Sequence, residues 1–148
     1  MKNRIIIILF CCCFYNSSCK KGEPQERQIL TQLGDKTSPD YYLIVPIKGC
    51  AGCVTEMLAF IKENVKNPRI TFILTSNEPK LFNLILSKED VNSNNILLDH
   101  KNLFEKSGIV TGPNFLLLKN GSGDFVERKV LNATNLTVEL TKLKTLII

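Results

Sequence analysis

Tyr41-Tyr42-Leu43-Ile44-Val45-Pro46-Ile47-Lys48-Gly49-Cys50-Ala51-Gly52-Cys53 is the stretch from which the rest of the chain is read. Its first five residues are a continuous apolar and β-branched run, the pattern of a strand buried on both faces. Beyond Cys53, apolar residues at Val54, Met57, Leu58, Ile61 and Val65 line one face of a helix. The two cysteines therefore fall at a strand-to-helix junction. A helix start offers unpaired backbone N–H groups and the positive end of the helix dipole, and both stabilise a thiolate on Cys50. Cys53, one turn further in, is expected to be shielded by the strand and placed to attack a mixed disulfide on Cys50.

Outward from this junction, Asn67-Pro68 ends the helix and Ile70 to Leu74 forms a second buried strand. Asn77 is positioned to cap a helix with Pro79 in its first turn and Leu81, Leu84 and Ile85 on its inner face. Asn95 to Leu98 makes a third strand, and Asn102 to Lys106 a short helix stopped at Gly108. Phe115 to Leu118 and Phe125 to Val130 flank Asn120-Gly121-Ser122-Gly123, a hairpin signal. Leu136, Leu140, Leu143 and Ile147 suit a closing helix. The order β-α-β-α-β-α-β-β-α predicts an α/β sandwich with a mixed sheet. Residues 41–148 suffice for one core and not for two.

The start of the chain reads differently. Met1-Lys2-Asn3-Arg4 is basic, and Ile5 to Tyr15 is apolar and uncharged, too short to span a bilayer but of signal-peptide length. Asn16-Ser17-Ser18-Cys19 resembles a bacterial lipoprotein cleavage box, with Asn16 where an aliphatic residue is usual. Ser18-Cys19-Lys20-Lys21 is similar to lipoprotein signals of Bacteroidetes-type bacteria. The resemblance implies a signal peptide over 1–18, a lipid on Cys19, a tether over 19–40 and a domain over 41–148. Glu26 to Leu33, within the polar tether, is expected as a short helix or strand. Of the six cysteines, Cys11, Cys12 and Cys13 would leave with the signal, which isolates Cys50 and Cys53 as the free pair. Loss of Lys2 and Arg4 lowers the formal charge from +5 to +3, spread without a basic run or aromatic comb. No nucleic-acid surface and no preference for acidic substrates follows. The sequons at Asn132 and Asn135 would matter only in a eukaryotic secretory pathway.

A buried strand, a CxxC opening a helix, and Gly112-Pro113 entering a strand-Gly-strand hairpin together resemble the thioredoxin fold. The extra helix and strand between Ile70 and Leu98 resemble the branch of periplasmic thiol-disulfide oxidoreductases and alkyl-hydroperoxide-reductase-related lipoproteins. In that branch Leu98-Asp99, Leu103-Phe104, Gly108-Ile109-Val110 and Pro113 fall in the pre-proline segment. The likeness runs from Tyr41 to the C-terminus. It implies a three-layer sandwich around a mixed central sheet, and disulfide exchange with protein thiols or disulfides in the bacterial cell envelope. Cys50 would be the nucleophile, Cys53 the resolving thiol that forms a disulfide with it, and Pro113 a cis-proline orienting the substrate. No cofactor is implied. The lipid would hold the domain to a membrane, facing the periplasm.

Other readings of the CxxC compete. A purely structural disulfide closing so short a loop removes little unfolded-state entropy. A zinc site needs more ligands than Cys50, Cys53 and the lone His100 supply, so no metal site is assigned. The Asp99-His100 pair superficially resembles that of copper chaperones, which use a longer cysteine spacing. A peroxidase would need a threonine that Pro46-Ile47-Lys48-Gly49-Cys50 lacks. The alternative from another class is a non-catalytic thioredoxin-like binding lipoprotein. It gains from three departures: no Trp before Cys50, no carboxylate from Tyr41 to Ile47, and Gly112 before Pro113. Proton handling at Cys53 would then fall to water or Lys48.

Overall fold

The computed structural model describes residues 23–148. Residues 1–18, read above as a signal peptide, and Cys19 lie outside the described residues. Along the chain the elements are α1 (Gln25–Gln32), β1 (Tyr41–Pro46), α2 (Ala51–Asn64), β2 (Ile70–Thr75), α3 (Pro79–Ile85), α4 (Lys88–Val91), β3 (Ile96–Asp99), α5 (Leu103–Lys106), β4 (Phe115–Asn120), β5 (Phe125–Leu131) and α6 (Leu136–Leu146). The five strands form one sheet in the order β3-β2-β1-β4-β5. β1 runs parallel to β2, and β2 to β3, while β4 is antiparallel to both β1 and β5.

β1 lies at the centre because every one of its residues is uncharged and buried, and every residue of β2 is buried too, Thr71 and Thr75 included. A strand covered on both faces has no use for alternation. Tyr41, Leu43 and Val45 face a layer built by Met57, Phe60 and Ile61 of α2 and by Leu136, Leu140 and Leu143 of α6. Tyr42 and Ile44 face the other way, onto Ile29 and Leu30 of α1 and Phe104 of α5. The result is the expected three-layer sandwich with a mixed sheet.

Two local expectations are corrected. On α3 the inward residue is Phe82, with Leu86 just beyond the helix, and Leu84 is 80% exposed. The helix is only two turns long and turns to bury its largest side chain, whose ring meets His100 edge-on at 5.1 Å. Asn77 does not cap it; Glu78 occupies that position without a side-chain hydrogen bond, and Asn77 Oδ1 instead accepts from Lys48 Nζ. The unexpected α4 carries a readable start signal: Ser87 Oγ accepts the Asp90 N–H at 3.1 Å.

Residues 25–40, read as tether, are built onto the domain. Ile29 and Leu30 are 5% and 1% exposed, inside the core. Arg128 grips Glu26 with two hydrogen bonds, at 2.8 and 3.3 Å, and the Arg27 guanidinium lies 4.5 Å from the Phe125 ring centre. Asp35 accepts the Tyr42 hydroxyl at 2.7 Å. Burial, reinforced by that carboxylate, holds the hydroxyl proton well above the usual tyrosine range. Two inward apolar residues in a polar segment are a weak pattern, and the polar partners lie far along the chain. Leu30→Ala is expected to destabilise the protein by about 3 kcal/mol in urea unfolding. A residue in a free tether would change nothing.

Candidate thiol-disulfide site

β1 delivers the chain at its C-terminal end into Ile47-Lys48-Gly49, and Cys50 is the N-cap residue of α2, with φ −64° and ψ 129°. Its Sγ accepts the Cys53 N–H at 3.2 Å, and its carbonyl accepts the Val54 N–H at 3.0 Å. The first turn of α2 contains no carboxylate, so nothing offsets the positive end of the helix at Cys50. Cys50 and Cys53 are joined as a disulfide, with their Cα atoms 5.4 Å apart. The two sulfurs live in different surroundings: Cys50 is exposed, whereas Cys53 is 8% exposed and belongs to the α2 core layer. An incoming group reaches Cys50 first.

Pro113 is where the structure both meets and corrects the sequence reading. It lies beside the cysteine loop: a Cβ built on Gly49 would come within 3.7 Å of Pro113 Cα and Cβ. The Gly112–Pro113 bond, however, is trans, as is every described peptide bond. Gly112 supplies the bend instead, adopting φ +60°, a left-handed conformation that glycine enters without a Cβ clash. Asn114 Nδ2 closes the turn by donating to the Thr111 carbonyl at 3.1 Å. Thr111, Gly112 and Pro113 are all exposed.

Lys48 is engaged with the neighbouring loop. Its ammonium lies 2.6 Å from Glu78 Oε1 and donates to Asn77 Oδ1 at 3.1 Å, which ties the β1–α2 loop to the β2–α3 loop. Sequence reading noted Asp99 but not its burial: it is the one fully buried carboxylate among the described residues. Its Oδ2 accepts the Thr75 hydroxyl and the Phe104 N–H, each at 3.1 Å. Thr75 and Asp99 lie two residues beyond Ile73 and Leu97 and share their face, which packs on the α1 and α5 layer, so this carboxylate sits across the sheet from α2. It anchors the start of α5 and takes no part at the cysteines. His100 is exposed, and the described residues contain no group of three or more His, Cys, Asp or Glu suited to a metal ion.

A sheet of this order, a CxxC opening the helix after the central strand, and a Gly-Pro turn leading into an antiparallel hairpin define a thioredoxin-like fold with a redox-type pair at its site. No protein-family model matches the chain, and no curated protein does. Among solved structures, it is similar to a thioredoxin-like protein from Porphyromonas gingivalis, at 14% identity over 73% of this chain and 76% of the other, with a TM-score of 0.47. It is also similar to a thiol-disulfide oxidoreductase from Bacteroides fragilis, at 16% identity over 70% and 79% of the two chains, TM-score 0.42. A secreted disulfide oxidoreductase from Mycobacterium tuberculosis aligns at 17% identity over 70% and 81%, TM-score 0.41.

Proposed function

We propose that the protein exchanges disulfides with protein thiols or disulfides in the bacterial cell envelope, held to a membrane by a lipid on Cys19 and facing the periplasm. The observation that carries the chemistry is the asymmetry of the pair: an exposed Cys50 sulfur on a helix N-terminus, bonded to a buried Cys53 one turn behind it. In the reducing direction, the Cys50 thiolate attacks one sulfur of a substrate disulfide and displaces the other as a thiolate, giving a mixed disulfide on Cys50. Cys53, once deprotonated by water, attacks Cys50 Sγ and releases the second substrate thiolate, and the Cys50–Cys53 disulfide re-forms. The oxidising direction is the same sequence reversed.

Cys53→Ala removes the resolving step and leaves the attacking one. In cells it should accumulate mixed disulfides, seen as high-mass bands that dithiothreitol collapses, and a Cys50→Ala partner variant should show none. If neither variant traps a protein, the exchange reading fails. A second reading, a thioredoxin-like binding lipoprotein without catalysis, is favoured by the trans Gly112–Pro113 bond. A cis bond there would turn backbone groups toward a substrate strand; the trans bond leaves Pro113 close to Gly49 without that presentation.

A further inference from the structure

The two ends of the sheet differ in what they carry. Cys50 follows the C-terminal end of β1, the site end. At the opposite end, the base, β1 begins at Tyr41 and β4 finishes at Asn120, opposite Phe125 at the start of β5. From Tyr41 to Pro46 the strand rises about 17 Å. α1 starts at the base, where Arg27 donates to Asn120 Oδ1 at 2.8 Å and lies over the Phe125 ring. Gln28 Nε2 donates to the Glu23 carbonyl at 2.9 Å, so the chain is tied to α1 as far back as Glu23. From Glu23 to Cys19 is four residue steps, a reach of at most about 14 Å.

α6 runs from the site end down to the base. It follows Leu131, which pairs with Phe115 at the site end, and it finishes where Asn67 and Arg69, just ahead of β2, donate to the Ile147 and Ile148 carbonyls. The exposed Val126, Leu146 and Ile148 therefore all lie at the base. We propose that the base is the face that meets the bilayer, with these three side chains entering the membrane interface. Cys50 is then held at the far end, toward proteins that stand off the membrane. The inference rests on the reading of Cys19 as the lipid-bearing residue. Exposed apolar side chains are ordinary in themselves. Val138, at the site end of α6, is as exposed as Leu146, 55% against 51%, and Val130 lies at that end too. What separates the two ends is the leash, which leaves from the base and is too short to favour another face. Apolar groups there gain by entering the headgroup boundary, and Lys20-Lys21 beside the lipid adds attraction to anionic headgroups. The disulfides presented to Cys50 are those of soluble proteins and of domains projecting from the membrane.

The test uses the full chain in bacterial membranes containing radiolabelled phospholipid. p-Benzoylphenylalanine replaces Val126 or Leu146 at the base, or Val130 or Val138 at the site end, and fatty-acid labelling of the same preparations reads the anchor separately. Irradiation should join phospholipid to the base positions at least about tenfold more than to the site-end positions. Cys19→Ala should abolish the product. If fatty-acid-labelled protein cross-links lipid equally from both ends, more from the site end, or from neither, the proposal is overturned and the anchor stands. Capture of a protein instead of lipid at the base overturns it in the same way. Protein that carries no fatty acid overturns both.

Discussion

Cys50→Ser is expected to lower disulfide exchange by more than about a thousandfold, since a serine hydroxyl supplies neither an ionisable thiolate at neutral pH nor a sulfur able to carry the mixed disulfide. Cys53→Ser should instead keep the first attack and lose turnover. The same experiment reads the helix. In the reduced protein, alkylation of Cys50 followed against pH should titrate below the ordinary thiol value of about 8.5, because Cys50 caps α2 and accepts the Cys53 N–H. Gly52→Asp places a carboxylate in a first turn that has none, at a site where an added Cβ meets nothing within 4 Å. It should raise that titration by about one unit and slow alkylation at neutral pH. An unchanged profile would mean that the helix terminus does not tune the sulfur, and the nucleophile assignment would lose its physical basis.

Cys19→Ala is expected to abolish fatty-acid labelling and move the protein from the membrane pellet to the soluble fraction, because under the proposal the lipid on Cys19 is what holds the domain to the membrane. The short basic start, the uncharged run from Ile5 to Tyr15 and the Ser-Ser-Cys box motivate it. The distance matters for how the domain is held. Cys19 precedes the first residue of α1 by six positions, a reach of at most about 21 Å. Because α1 is packed on the sheet and not free, an anchor at Cys19 would keep the whole domain at the bilayer surface. Unlabelled wild type recovered in the soluble fraction would remove both the anchor and that consequence.

The elements that the amino-acid sequence determined by itself are those whose signal is local. Tyr41 to Val45 and Ile70 to Leu74 read as buried strands because both faces of each are covered and no charged residue interrupts them. The α2 stripe, the hairpin glycines and the Leu136, Leu140, Leu143, Ile147 series carry their own signals, so the succession of strands along the chain and the place of Cys50 and Cys53 at a helix start were legible, while the order of strands within the sheet was not. Only tertiary structure decided the rest, because the partners lie far apart in the chain. α1 joins the domain through Arg128 and Phe125, about a hundred residues downstream. Phe82 displaces Leu84 from the inner face of α3 because a short helix orients around its largest buried side chain. Asp99 lies across the sheet from α2, an outcome of strand alternation and neighbour packing that its own sequence context does not reveal. Pro113 reaches Gly49 by a trans bond with Gly112 taking the bend at φ +60°, one of two nearly equal backbone solutions between which the Gly-Pro sequence alone does not decide.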